Sequence, residues 1–195
     1  MDFTPSSGGG SYEQPKVGTY TGILVGFSEI GTQTGGAYGP KKKVVLRWEL
    51  HKRKGPSLDA AGHVHTITAR YNVSFNEKAS LRAVVEKHIG LAANGRTSSH
   101  DWLGKAAKLT LTQSDDGKWT NVDTVAMLDP EEDEVPKQIE APEHWEIRDG
   151  GDPPVWAKHF WEKSQEFAQL NGTRQPVGAT AGREPGEDDN LDIPY

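Results

Sequence analysis

From Lys43 to His51 apolar and polar residues alternate without a break. Val44, Leu46, Trp48 and Leu50 take one side, and Lys43, Arg47 and Glu49 take the other. A period of two is the mark of a strand with one face buried and one face in water. Two neighbouring segments carry the same period. In Val17–Ile30, the residues Ile23, Val25 and Phe27 fall on one side, and Tyr20 falls on the other with Gly18, Gly22 and Gly26. Glycines inside a strand weaken it and mark bulges or sharp bends, which suits a small closed barrel better than a flat sheet. About His63–Phe75, the residues Ile67, Ala69, Tyr71 and Val73 share a face, with Thr66, Thr68 and Arg70 opposite. By this parity Trp48 and Tyr71 belong to the core.

The period then becomes helical. Asn76 is placed to cap a helix whose stripe is Leu81, Val84, Val85 and His88, and Gly90 ends it. Two further strands, Lys105–Gln113 and Lys118–Leu128, are joined through Asp115-Asp116-Gly117 as a hairpin. The chain therefore reads as mainly β, with five short strands and one helix between the third and fourth. That order resembles the OB-fold, a five-stranded Greek-key barrel that binds oligonucleotides, over residues 15–128.

Composition limits the alternatives. Only 34% of residues are apolar, Gly (22) and Pro (12) are plentiful, and mean hydropathy is -0.70, so the core is modest and part of the chain is unpacked. Cys is absent, which removes disulfides and thiolate chemistry. No run approaches the roughly 20 apolar residues of a membrane helix. Met1 to Gly10 is polar and Gly-rich, unlike a secretory leader. A cytoplasmic protein is the expectation.

The overall charge of -6 conceals a segregation. Residues 1–128 hold 16 Lys+Arg against 11 Asp+Glu, a net of +5; residues 129–195 hold 6 against 17, a net of -11. A basic binding domain followed by an acidic tail fits this asymmetry. The parts expected are a flexible arm (1–14), the barrel (15–128), an acidic linker (129–154), an amphipathic helix (155–170) and a disordered tail (171–195). In the helix Trp156, Phe160, Lys163 and Phe167 recur at helical spacing. So aromatic a helix either packs on the barrel or docks to another protein, with packing favoured.

The chain ends Glu187-Asp188-Asp189-Asn190-Leu191-Asp192-Ile193-Pro194-Tyr195. This is similar to the tip of bacterial single-stranded DNA-binding proteins, an acidic run followed by Asp-Ile-Pro-Phe, and still closer in style to their phage-encoded counterparts. The resemblance implies that Asp188, Asp189, Asp192, Ile193, Pro194 and Tyr195 dock replication, recombination or repair enzymes. The last ring and the terminal carboxylate would enter a pocket together. Tyr195 stands where the family usually has Phe, and Asn190-Leu191 interrupts the acids. If the protein is phage-encoded, its compartment is the host cytoplasm.

Binding single-stranded DNA takes cations for phosphates and flat rings for bases. Parity puts Arg47 and Arg70 on the outward sheet face, and the flanking loops add Lys41, Lys42, Lys43, Lys52, Arg53 and Lys54. Tyr20, Tyr38 in the Gly31–Pro40 loop, and Trp119 beside Lys118 are the stacking candidates. His63 and His65 share a strand face, but no third ligand stands near, and surface or packing roles are favoured over a metal. The Gly-rich loop fits neither a Walker nor a dinucleotide fingerprint. No acid or nucleophile set suggests catalysis, and no cofactor is implied. The expected role is non-enzymatic protection of single-stranded DNA, with a protein-interaction adaptor as the chief alternative and a small nuclease the third.

Overall fold

A computed structural model of the chain describes residues 13–34, 39–76, 78–89, 97–131 and 133–172. The fold is mainly β, a seven-stranded and largely antiparallel sheet with a few short helices. Its strands are β1 (Gly18–Gln33), β2 (Lys41–Lys52), β3 (Gly55–Pro56), β4 (Thr66–Asn72), β5 (Ala106–Gln113), β6 (Thr120–Ala126) and β7 (Glu143–Trp145). The α-helices are α1 (Ser80–Ala83), which runs on into a π-helical turn at Val84–His88, α2 (Val155–Trp161) and α3 (Gln165–Leu170).

The long strands lie in the order β4-β2-β1-β5-β6. Strand β1 is the organiser. It pairs with β2 from Thr21 to Gln33, with β5 from Gly18 to Ile23, and with β7, in parallel, from Gly26 to Ser28. A strand beyond residue 126 thus covers the edge of β1 that β5 leaves open, where unpaired backbone groups would otherwise invite aggregation. Among the described residues no ladder joins β4 to β6, so the sheet stays open. Tyr71 of β4 and Val122 of β6 nonetheless belong to one core, with Leu46, Trp48, Leu50, Leu109 and Leu111.

The parity expected for β1 needs correction. Opposite Trp48 and Arg47 of β2, strand β1 supplies Leu24, Val25 and Gly26, one residue more than its partner. This bulge reverses which side chains face in. Tyr20 and Leu24 before it, and Phe27 after it, all enter the main core. Ile23 and Val25 are buried as well, outside that core. Tyr20, expected to point outward, is therefore 3% exposed. Its hydroxyl donates to the Lys16 carbonyl at 2.7 Å.

Other boundaries tighten. The third long strand begins at Thr66, and Val73 is exposed rather than buried. The following helix starts from Ala79, which caps nothing with its side chain; Asn76 instead accepts the Ala79 N–H through its carbonyl. Leu81, Val84 and Val85 are buried, as their stripe requires.

A second, smaller core lies on the opposite face of β1 and β2. Ile30 and Val45 meet Ala157, with Trp156 and Phe160 packed beside them. The segment expected as one amphipathic helix over 155–170 is two short helices, α2 and α3, separated by a break at which Ser164 caps α3, and it packs in cis. Two glycines of β1 make room for it. A Cβ on Gly26 would lie 2.7 Å from the Trp156 ring, and one on Gly31, whose φ is +68°, would lie 2.6 Å from the Glu166 carboxylate. Trp161 is held edge-on between Trp145 and Phe167, with ring centroids 5.4 and 6.0 Å away. Replacing Gly26 by Val should displace Trp156 at an overpacking cost of about 1–3 kcal/mol. For a chain this size that lowers the thermal midpoint by roughly 3–10 °C, readable by circular dichroism; an unchanged midpoint would mean Trp156 does not rest on β1.

Candidate nucleic-acid interface

The sheet separates the candidate residues into two ends and a middle. At one end, the register sets Thr21 beside both His51 and Lys108, and Gly18 beside Leu111. The β2–β3 turn with Lys52, Arg53 and Lys54, and the β5–β6 turn with Lys118 and Trp119, therefore both lie toward the start of β1. All three cations of the first turn are exposed. Lys52 Nζ sits 5.2 Å over the Tyr20 ring. Trp119 is 61% exposed, a large flat ring left in water. Lys118 is also exposed, its Nζ 3.6 Å from Asp116, an exposed pair worth little. Residues 13–16 brace this end: Gln14 accepts from Thr120 N and donates to the Lys118 carbonyl, and Pro15 accepts from the Thr120 hydroxyl.

At the other end stand Lys41, Lys42 and Lys43, with Lys43 opposite Asn72. Lys42 is exposed, and Lys41 and Lys43 are half-buried. Arg70 is exposed, its guanidinium 5.3 Å over the Phe160 ring. Tyr38, Asp188, Asp189, Asp192, Ile193, Pro194 and Tyr195 lie outside the described residues.

Arg47, in the middle, faces outward as its parity requires, but it does not face water. It pairs with Glu143 at 3.1 Å and Glu140 at 3.6 Å, and lies 6.0 Å from the Trp156 ring. Trp156 Nε1 donates to the same Glu143 carboxylate. Beside it Glu49 is fully buried, accepting the backbone N–H groups of Ile139 and Glu140 and bonding His51. Glu29 accepts the N–H of Ile147 at 2.8 Å, and in the reverse direction Glu166 accepts both Thr32 N and Thr32 Oγ1. Burial pushes the Glu166 carboxyl up, but the two Thr32 bonds and nearby Lys42 outweigh it and hold the group below its ordinary value. The acidic segment expected to serve as a linker spends these acids and amides on the sheet. The centre of the outward face is occupied by the chain itself.

His144 of β7 belongs to this seam. It stacks on Phe27 at 5.0 Å and on His100 at 3.5 Å, and its Nε2 lies 2.7 Å from the Ser99 hydroxyl, which donates to Glu146. His63 and His65 part company: His63 reaches Asp59 at 3.3 Å, and buried His65 reaches Ser57 at 3.1 Å. Among the described residues no three metal-ligating side chains converge, and no helix is long and apolar enough to cross a membrane.

Sequence reasoning missed the partners of Arg47 and the approach of His159 and Lys163 to Arg70. The helical recurrence of Lys163 with Phe160 was visible, but nothing in a single chain says which face of a sheet a later helix covers. No protein-family model matches the chain, and no curated protein is significantly similar to it.

Two outcomes test the seam. Glu49→Ala leaves the Ile139 and Glu140 amides without their acceptor, at about 1–3 kcal/mol, and limited trypsin digestion should then cut faster at Lys137; equal rates would refute the role given to Glu49. Burial, then His100, hold the His144 imidazole below its ordinary value. The unfolded chain takes up that proton near pH 6.5 and the folded one only lower. Stability is therefore complete above about pH 6.5 and falls as the pH drops. His159, depressed mainly by burial, acts in the same direction. Melting at pH 7.5 and 5.5 (both rough settings spanning that value) should differ less in His144→Gln than in the unaltered chain; an equal difference would clear His144.

Proposed function

We propose that this chain is a non-enzymatic single-stranded DNA-binding protein on an OB-fold, holding the strand stoichiometrically and recruiting partner enzymes through its C-terminal tip. The observation that carries the reading is the strand order. Strands β5-β1-β2-β4 stand in the spatial order 4-1-2-3 of a Greek key, counting long strands along the chain. The fifth long strand, β6, lies beyond β5, and α1, before β5, packs into the core through Leu81. This order supports the reading of a partly open, five-stranded OB barrel, a plan whose loops and sheet face bind oligonucleotides.

The surface chemistry supports the same reading. The exposed Trp119 ring, with Lys118, Arg53 and Lys54 toward the same end, offers a base-stacking platform next to phosphate-binding charge. Tyr20, buried beneath Lys52, is withdrawn from the stacking set. Arg47 is withdrawn from the phosphate set because two carboxylates already neutralise it. The tip Asp192-Ile193-Pro194-Tyr195 supports the recruiting role by its resemblance alone.

Titrating the chain with an oligo-dT strand, and with a duplex of equal length, while following tryptophan fluorescence tests the proposal. Single-strand binding should be the tighter, and its log–log salt slope should be near -0.7 per phosphate neutralised. Trp119→Ala should weaken binding by roughly 5- to 150-fold, the value of one stacked base. Binding of neither nucleic acid at low salt would end this reading. Deleting residues 187–195 should tighten binding, most at low salt where screening is least; equal affinity there would show that the tip does not compete with DNA.

A further inference from the structure

Where α2 meets β2 and β4, several cations gather that form no ion pair among the described residues. Val45 lies opposite Arg70 and Lys43 opposite Asn72, so Lys43 and Arg70 are diagonal neighbours on the outward face, roughly 7–8 Å apart. Phe160 packs on Ile30 and Val45 from α2 and carries the Arg70 guanidinium 5.3 Å above its ring. The His159 ring centroid is 3.7 Å from that of Phe160. Lys163, four residues on, belongs to the same turn of chain and ends next to Ser164, which bridges to Gln33 at the end of β1. His159 senses both Lys163 and Arg70, which add to the effect of burial in depressing it, against a small opposing pull from Glu162.

The contrast with Arg47 is informative. On the same sheet face, Arg47 has two carboxylates within 4 Å. Lys43, Arg70 and Lys163 have no ion pair with any described residue. Glu166, the next acid along α3, is engaged by Thr32 through both of its oxygens. Like charges roughly 7–8 Å apart repel by about 0.5 kcal/mol in water, and a polyanion relieves that repulsion. Phe160 fixes the guanidinium by a cation–π contact while its five N–H donors find no acceptor among the described residues.

We propose that Lys43, Arg70, His159 and Lys163, with the Phe160 ring beneath the Arg70 guanidinium, form a composite site for the phosphodiester backbone of a single strand, half of it built by the sheet and half by α2 and the turn that follows it. The proposal rests on the single-stranded DNA reading and deepens it: the C-terminal segment becomes part of the DNA path, and the strand crosses α2 instead of filling the centre of β2 and β4.

The test uses the full chain and a fluorescently labelled oligo-dT, with anisotropy read from about 50 to about 300 mM salt, a range that spans the counterion-release effect. Arg70→Gln combined with Lys163→Gln should remove about 1.4 from the salt slope and weaken binding roughly 60-fold at the low-salt end, with the thermal midpoint confirming the fold. Arg53→Gln with Lys54→Gln serves as a comparison at the opposite end of β2. If only that second pair weakens binding, the composite site is wrong and the DNA reading stands. A weakened Arg70/Lys163 variant with an unchanged slope also overturns the site, because its cations then meet no phosphate. If the unaltered chain binds no strand, both ideas fall together.

Discussion

The assembly depends on carboxylates that accept backbone amides across the seam between the sheet and the C-terminal segment. Glu49 takes Ile139 and Glu140, Glu29 takes Ile147, and Glu166 takes Thr32. Bonds of this type, with an ionised acceptor, are shorter and about twice as strong as neutral ones. They also solve a local problem. The segment from Ile139 to Ile147 has little regular structure, so its amides have few partners of their own. Glu49 is the strictest case: a fully buried carboxylate in the middle of a strand is tolerated only because its bonds are made.

Around that seam, charge and packing reinforce one another. Glu143 accepts from Arg47 and from the Trp156 indole at once, so a single carboxylate ties β2 to α2. The excess acid of residues 129–195 is thus divided between two tasks. Glu140, Glu143, Glu146 and Glu166 are structural ligands of the folded body, and Asp133 pairs with Lys108 at 2.7 Å. A simple picture of a basic domain trailing an acidic tail describes the sums and misses the contacts.

The legible part of the fold is the part governed by strict period. Val44, Leu46, Trp48 and Leu50 alternate over a regular ladder, and all four are buried. Leu109 and Leu111 follow for the same reason. In β1 the rule fails at Val25, because a bulge adds one residue and reverses the side chains that follow, up to a second register shift between Glu29 and Thr32; Tyr20 therefore fills core that its spacing assigns to Ile23. The exposure of the candidate residues was legible at the ends of the sheet, where the turns 52–54 and 114–119 are short and local. It was not legible at the centre. The carboxylate that covers Arg47 lies some 96 residues along the chain, and no local period reports a contact at that range.

Because β1 is buried on both faces, residues 15–128 do not make a self-sufficient unit. Cut after Leu128, the chain would present Ile30 and Val45 to water, with Gly26 and Gly31 left as notches beside them and one stretch of β1 edge unpaired. The smallest piece that keeps the sheet intact runs to the end of α3. Any graft of this sheet onto a different tail would therefore have to carry β7, α2 and α3 with it, and the natural joint for such an exchange lies after Leu170, some forty residues later than the break in composition suggests.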